Sequence, residues 1–273
     1  FRKAVYSYLE MKRFKKAMKT LKKLTTIIAV PKESPFAFQE KSKFLDECRY
    51  SMTDLRVFKL ELPYFRRGTS FLKSFQTFLK HHPKIEVLSR KFEGEELLDQ
   101  DFMYLKESIK SLYELRSLTT NFVWCNMQAK TKLELFEYKR PLIQVFNFGL
   151  YNSYISHENL IMLIRNFAYL ECLKSFSIKI FNCSFAEAHL IELNKTLTKF
   201  KYLESFDLII EYTFYIGPTI LQNSLTVLEN SKIGLRALSL DLNSKAQKFQ
   251  DNELLAISDS ISRFLNLNSL HFK

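Results

Sequence analysis

Four cysteines and five histidines are the residues of this 273-residue chain best suited to holding a metal or supplying a nucleophile and its base. A zinc site asks for Cys or His ligands in close pairs, but Cys48, Cys125, Cys172 and Cys183 form no such pair and the histidines do not complete one. His157-Glu158 and Glu187-Ala188-His189 lack the two histidines four residues apart that a helical metalloprotease site needs. His81-His82 stands just before Pro83, where a helix must end, and the helix dipole suits an imidazole there to a cap or packing role. No Ser, Cys or Lys is spaced to meet a base. Gly68, Gly94, Gly149, Gly217 and Gly234 are isolated, so neither a dinucleotide fingerprint nor a phosphate loop is spelled. The expectation is a protein that is not an enzyme and uses no metal or cofactor.

Composition narrows the class further. With 47% apolar and 15% aromatic residues the chain has ample material for a core, and 5 Gly with 6 Pro exclude collagen-like and Gly-rich classes. The longest charge-free stretches, Pro141 to Ser156 and Tyr212 to Leu228, hold Gln144, Asn147 and Asn152 in one and the Gly217-Pro218 break in the other. A spanning helix needs about 20 mainly apolar residues, so no transmembrane segment is expected. The basic N-terminus is followed by no apolar run with a small-residue cleavage site, which speaks against a secretory signal. The location read from this is intracellular: cytoplasm, or a large organellar or cytoskeletal assembly. The first residue is not Met, so the chain is expected to be processed or excerpted.

The elements that would position any site follow from a repeat. One phrase recurs, apolar at its positions 1 and 4 and again at 6 and 8 where well formed. Its instances begin at Leu21, Leu55, Ile85, Leu115, Ile143, Leu173, Leu203, Leu235 and Leu267, with steps of 34, 30, 30, 28, 30, 30, 32 and 32 residues. Alternation at positions 4, 6 and 8 is the period of a strand with one buried face. Between phrases the helical period takes over: Phe102, Leu105, Ile109 and Leu112 precede Leu115, and Leu160, Leu163, Phe167 and Leu170 precede Leu173, in steps of 3, 4 and 3. Leu190, Leu193, Leu197 and Phe200, and then Leu254, Ile257, Ile261 and Phe264, repeat the stripe. The pattern predicts an α/β solenoid of about nine βα units, with a parallel curved sheet inside and helices outside. A doubly wound domain would need variable spacing and a glycine-rich first turn, and neither is present.

The phrase and its period resemble leucine-rich repeats of the ribonuclease-inhibitor-like kind, and the resemblance covers essentially the whole chain. It implies a single solenoid domain over residues 1–273 that binds other macromolecules. Position 9 departs from that pattern: an Asn that normally satisfies the turn is present only as Asn243, against Ala29, Pro63, Glu93, Val123, Tyr151, Phe181 and Glu211. The turns are expected to be degenerate. The ninth phrase stops at Lys273 without a polar cap, so the domain is expected to belong to a longer chain or an assembly.

Within this frame Cys125 and Cys183 share position 11, two repeats apart, which puts their backbones about 10 Å from each other at a strand spacing of about 4.8 Å. That is too far for a disulfide, and buried structural thiols are expected. Phe146, Phe176 and Phe206 share position 4 and should stack as core. Two surfaces remain for partners. Positions 3, 5 and 7 write a concave face of mostly small residues: Val57, Lys59 and Glu61; Val87, Ser89 and Lys91; Ser117, Thr119 and Asn121; Val145, Asn147 and Gly149. It continues through Ser175, Ser177 and Lys179; Ser205, Asp207 and Ile209; Ala237, Ser239 and Asp241. Such a face either admits a partner closely or merely relieves crowding.

The second surface is an expected N-terminal helix. Arg2, Lys3, Lys12, Arg13, Lys15, Lys16, Lys19, Lys22 and Lys23 stand against Glu10 alone, so residues 1–24 carry +8 of the chain's net +12. Lys12, Arg13, Lys15, Lys16, Lys19, Lys22 and Lys23 are the candidates for an acidic partner, with a solvated face as the alternative. The function expected is a non-enzymatic scaffold or adaptor, a subunit of a larger complex that binds protein partners. The alternative is a basic subunit of an RNA or ribonucleoprotein assembly that uses the N-terminal helix.

Overall fold

A computed structural model describes residues 5–6, 25–29, 45–46, 54–62, 69–128, 133–136, 139–140, 142–211, 218–230, 234–241 and 250–272. The chain divides into two compact units, Phe1–Thr131 and Lys132–Lys273. Both are parallel α/β structures.

In the first unit five strands lie in the order β1 (Val5–Tyr6), β2 (Thr26–Ala29), β3 (Val57–Leu62), β4 (Val87–Glu93) and β6 (Ser117–Val123). Helix α1 (Thr69–His81) connects β3 to β4. After β4 come the two-residue strand β5 (Glu96–Leu97) and helix α2 (Asp99–Lys110). A second short strand, β7 (Asn126–Met127), pairs with β5 in parallel. Val57 pairs with Val87 and Val87 with Ser117, so each strand meets its neighbour at the same position of the phrase. Along β4 and β6 side chains alternate between buried and half-exposed, as the two-residue strand period requires. The buried set packs under the helices: Phe58 meets Phe75 and Phe78 of α1, and Phe122 meets Phe102 of α2.

The second unit repeats the arrangement with β8 (Val145–Tyr151), β10 (Ser175–Phe181), β11 (Ser205–Glu211), β12 (Ala237–Asp241) and β13 (Ser269–Phe272) in that order. A short β9 (Tyr154–Ile155) and helix α3 (His157–Asn166) follow β8, and a 3-10 turn at Phe167–Tyr169 extends α3. Helices α4 (Glu187–Leu197), α5 (Pro218–Asn230) and α6 (Asp251–Ser262) occupy the later connections. Phe146, Phe176 and Phe206 form the expected ladder: successive ring centroids are 5.9 and 5.8 Å apart and each side chain is at most 1% exposed. Phe167 and Phe200 close on Phe176 edge-on from the helix side. The helical stripes of α2, α3 and α4 are buried as their spacing predicts. The stripe of α6 is buried at Ile257 but not at Leu254, which is 40% exposed, and on β13 Leu270 is 49% exposed.

The structure corrects two expectations near the N-terminus. Thr26 pairs with Val57 and Ile27 with Phe58, so the first phrase starts at Leu24 rather than Leu21 and its step to the next is 31 residues, not 34. Both starts fit the apolar pattern, and pairing selects the one that buries Ile27. Val5 and Tyr6, expected in a helix, are a strand paired with Ile28 and Ala29. The basic candidates Lys12, Arg13, Lys15, Lys16, Lys19, Lys22 and Lys23 lie outside the described residues.

Four of the turns that follow position 9 lie among the described residues. The residue after it adopts positive φ in each of them: Gly94 at 72°, Trp124 at 55°, Asn152 at 50° and Asn182 at 49°. This bend aims the N–H of Gly94, Asn152 and Asn182 at the carbonyls of Val123, Phe181 and Glu211 on the next strand. At Gly94, Asn152 and Asn182 the left-handed residue thus gives the turn a backbone hydrogen bond to the next strand.

Candidate functional site

The face opposite the helices is built by the half-exposed members of each strand. In the second unit parallel, in-register pairing aligns Val145, Ser175, Ser205 and Ala237 in one row and Asn147, Ser177, Asp207 and Ser239 in the next. A third row holds Gly149, Lys179, Ile209 and Asp241. Asp207 organises the centre: the Ser177 hydroxyl donates to it at 2.8 Å and Lys179 Nζ stands 3.5 Å from it. Burial and then the Asp207 charge push the Tyr151 phenol up. Ser177 and Asp241 are only 6% and 7% exposed, so the half-exposed Ser175, Ser205 and Ser239 are the more reachable part of this surface. In the first unit Ser117, Thr119 and Asn121 stand half-exposed beside Val87, Ser89 and Lys91. Lys91 turns to its own strand and meets Glu93 at 2.8 Å.

The sulfur and imidazole groups fall into structural positions. Cys125 Sγ donates to the Val123 carbonyl and Cys183 Sγ to the Phe181 carbonyl, in each case two residues back, and Ser153 Oγ does the same to Tyr151. One small donor at position 11 thus secures each of these three turns. Burial pushes the Cys125 thiol up to about 12 and raises that of Cys183, which makes both poor nucleophiles near neutral pH. His82 is buried with its ring centroid 4.4 Å from that of Phe78.

His157 and His189, which spacing left apart, come together with ring centroids 4.4 Å apart. His189 Nδ1 accepts the Ala186 N–H at 2.8 Å and so caps α4. Burial, and then the neighbouring His157, lowers the His189 pKa. Among the described residues no group of three or more His, Cys, Asp or Glu is placed to hold a metal ion. No helix among them is long and apolar enough to cross a membrane.

Three features of the structure carry little or no mark in the sequence. Arg90 occupies position 6 of its phrase, a place the alternation reserves for an apolar residue, and that mismatch was its only signal. Trp124 carries positive φ and is 57% exposed. Asn166 makes a buried clamp: its Oδ1 accepts the N–H groups of Leu135 and Phe136 while Nδ2 donates to the Phe136 carbonyl. Nothing in its spacing marks it.

Parallel strands joined through helices, in same-position register, define an α/β protein. Compared with known families and with curated proteins, the chain matches no family model and no curated sequence.

Proposed function

We propose that this chain is a non-enzymatic adaptor, a leucine-rich-repeat solenoid of about nine βα units that binds protein partners as a subunit of a larger complex. The observation that carries the reading is the in-register sheet face at Ser175, Ser205 and Ser239, where rows of small half-exposed side chains leave space for another backbone to approach. A step of about thirty residues between aligned strands supports the repeat. The basic N-terminal stretch would raise the encounter rate with an acidic partner.

The test is affinity purification of the tagged chain followed by identification of what remains bound. Ser205→Arg with Ser239→Arg should release a protein partner while circular dichroism and melting temperature stay unchanged. Lys12→Glu, Lys16→Glu, Lys19→Glu and Lys23→Glu together should slow its association and reduce the salt dependence. Retention that is lost to nuclease and falls steeply with salt would overturn the protein-adaptor reading in favour of the ribonucleoprotein alternative.

A further inference from the structure

A cleft of about 470 Å³ opens in the second unit beside the end of α3, within the range of about 300–1,000 Å³ common for ligand pockets. Its lining carries Lys139, Arg165 and Lys199 against Glu134 and Glu171. Arg165 and Lys195 lie in the last turns of α3 and α4, where cations offset the helix dipole, and both are committed to Glu192 at 2.9 and 3.5 Å. Lys139 and Lys199 of the lining, with Lys201 beside it, act together on Glu171. Lys139 meets Glu171 at 2.9 Å, while Lys199 and Lys201 make no ion pair among the described residues. The Lys139 hydrogen bond, and then the charges of Lys139, Lys201 and Lys199, hold Glu171 below the usual carboxylate range. Among the described residues, two of these three lysines are therefore in excess over Glu171.

The rest of the lining selects among anions. Glu134 and Glu171 put negative charge into the same cleft, which opposes a nucleic-acid backbone with its dense, uniform phosphates. Met162, Ala168 and Tyr169 add an apolar strip, and Tyr169 is 39% exposed. Spaced carboxylates flanking an apolar side chain match this mixture: they can meet Lys199 and Lys201 while Glu134 accepts a backbone N–H group.

We propose that the cleft between Lys139, Lys199 and Tyr169 receives an acidic segment of a protein partner that carries one aromatic or large apolar side chain. The inference rests on the protein-adaptor reading and adds a second contact, on the helix side of the sheet.

The probe is a fluorescently labelled pentapeptide of four glutamates around one phenylalanine, measured by anisotropy with the 273-residue chain at low and at physiological salt. Its glutamine analogue and a ten-residue oligodeoxythymidylate serve as controls. Lys199→Glu with Lys201→Glu should weaken the peptide on the order of tenfold, and the Lys→Gln pair should weaken it less. Both lysines are exposed, so the melting temperature should not move. Tyr169→Ala should weaken the peptide at either salt concentration, as loss of an apolar contact does.

Equal binding of the glutamine analogue, tighter binding of the oligonucleotide, or peptide affinity indifferent to the Lys199 and Lys201 changes would each overturn the proposal. Those outcomes would leave a partner held at Ser205 and Ser239 untouched. Conversely, release of every protein by nuclease would remove the adaptor reading while peptide binding could persist.

Discussion

Arg90 Nε donates a hydrogen bond to Thr120 Oγ1 at 3.0 Å, joining two position-6 side chains that face each other across β4 and β6 inside the core. Strands β3, β8, β10, β11 and β12 place the buried Leu60, Phe148, Ile178, Leu208 and Leu240 there. Arg90 is 1% exposed, its guanidinium carbon lies 5.8 Å from the centroid of Phe92, and neither Nη1 nor Nη2 has a partner among the described residues. Burial alone pulls its pKa down to about 9.

A buried cation with two unmet donors should cost more than an apolar side chain of similar shape. Arg90→Leu combined with Thr120→Val should raise the urea unfolding free energy by about 1–4 kcal/mol. A loss of stability in the double variant would show that the guanidinium is satisfied in solution. Arg90→Leu alone should gain less, because Thr120 then loses its donor.

Phe176 sits at the centre of the aromatic ladder, with Phe146, Phe206, Phe167 and Phe200 all within 6 Å of its ring centroid. Phe176→Ala should cost about 3–5 kcal/mol, since close-packed rings cannot collapse into the space left behind. Thermal unfolding unchanged from the parent would place the ring outside the core.

His189 gives the chain a pH response. Its lowered pKa means that between the ordinary imidazole value of 6.5 and the folded value the unfolded state binds more protons, so the stability it contributes is full above pH 6.5 and drains as pH falls. The slope is bounded by about 1.4 kcal/mol per pH unit, the limit for one proton. Urea melts at pH 7.5 and 5.5 should show this loss, and His189→Gln, which keeps an acceptor for the Ala186 N–H, should diminish it. An undiminished loss in that variant would assign the pH response to other groups.

Trp124 is the chain's single tryptophan, and its φ of 55° is a conformation that Asn152 and Asn182 adopt with less strain in the corresponding turns. Trp124→Asn should stabilise by up to about 1 kcal/mol, partly because the Asn182 amide shows how such a side chain is used: it donates to Asn152 Oδ1 at 2.8 Å. In the parent protein the exposed indole should be readily quenched by acrylamide. Resistance to quenching would mean that something covers it.

Strand positions and the buried faces of α2, α3 and α4 were legible from sequence because two periods, 2 and 3.6, are written in apolar residues along the chain. Phe146, Phe176 and Phe206 could be assigned to one ladder from spacing alone, since parallel strands in same-position register must stack them. Periodicity could not choose between Leu21 and Leu24 as the first phrase start, because both satisfy the pattern and only the pairing of Ile27 with Phe58 decides. Nor could it show the position-10 bend, which depends on φ and on a carbonyl of the neighbouring strand. Of the candidate surface, the rows of small residues were readable, but the burial of Ser177 and Asp241 within them was not, because crowding by neighbours has no trace in spacing. The cleft at Lys139, Lys199 and Glu171 is a tertiary product for the same reason: it gathers residues from three separate connections, and sequence order carries no record of which charges meet across them.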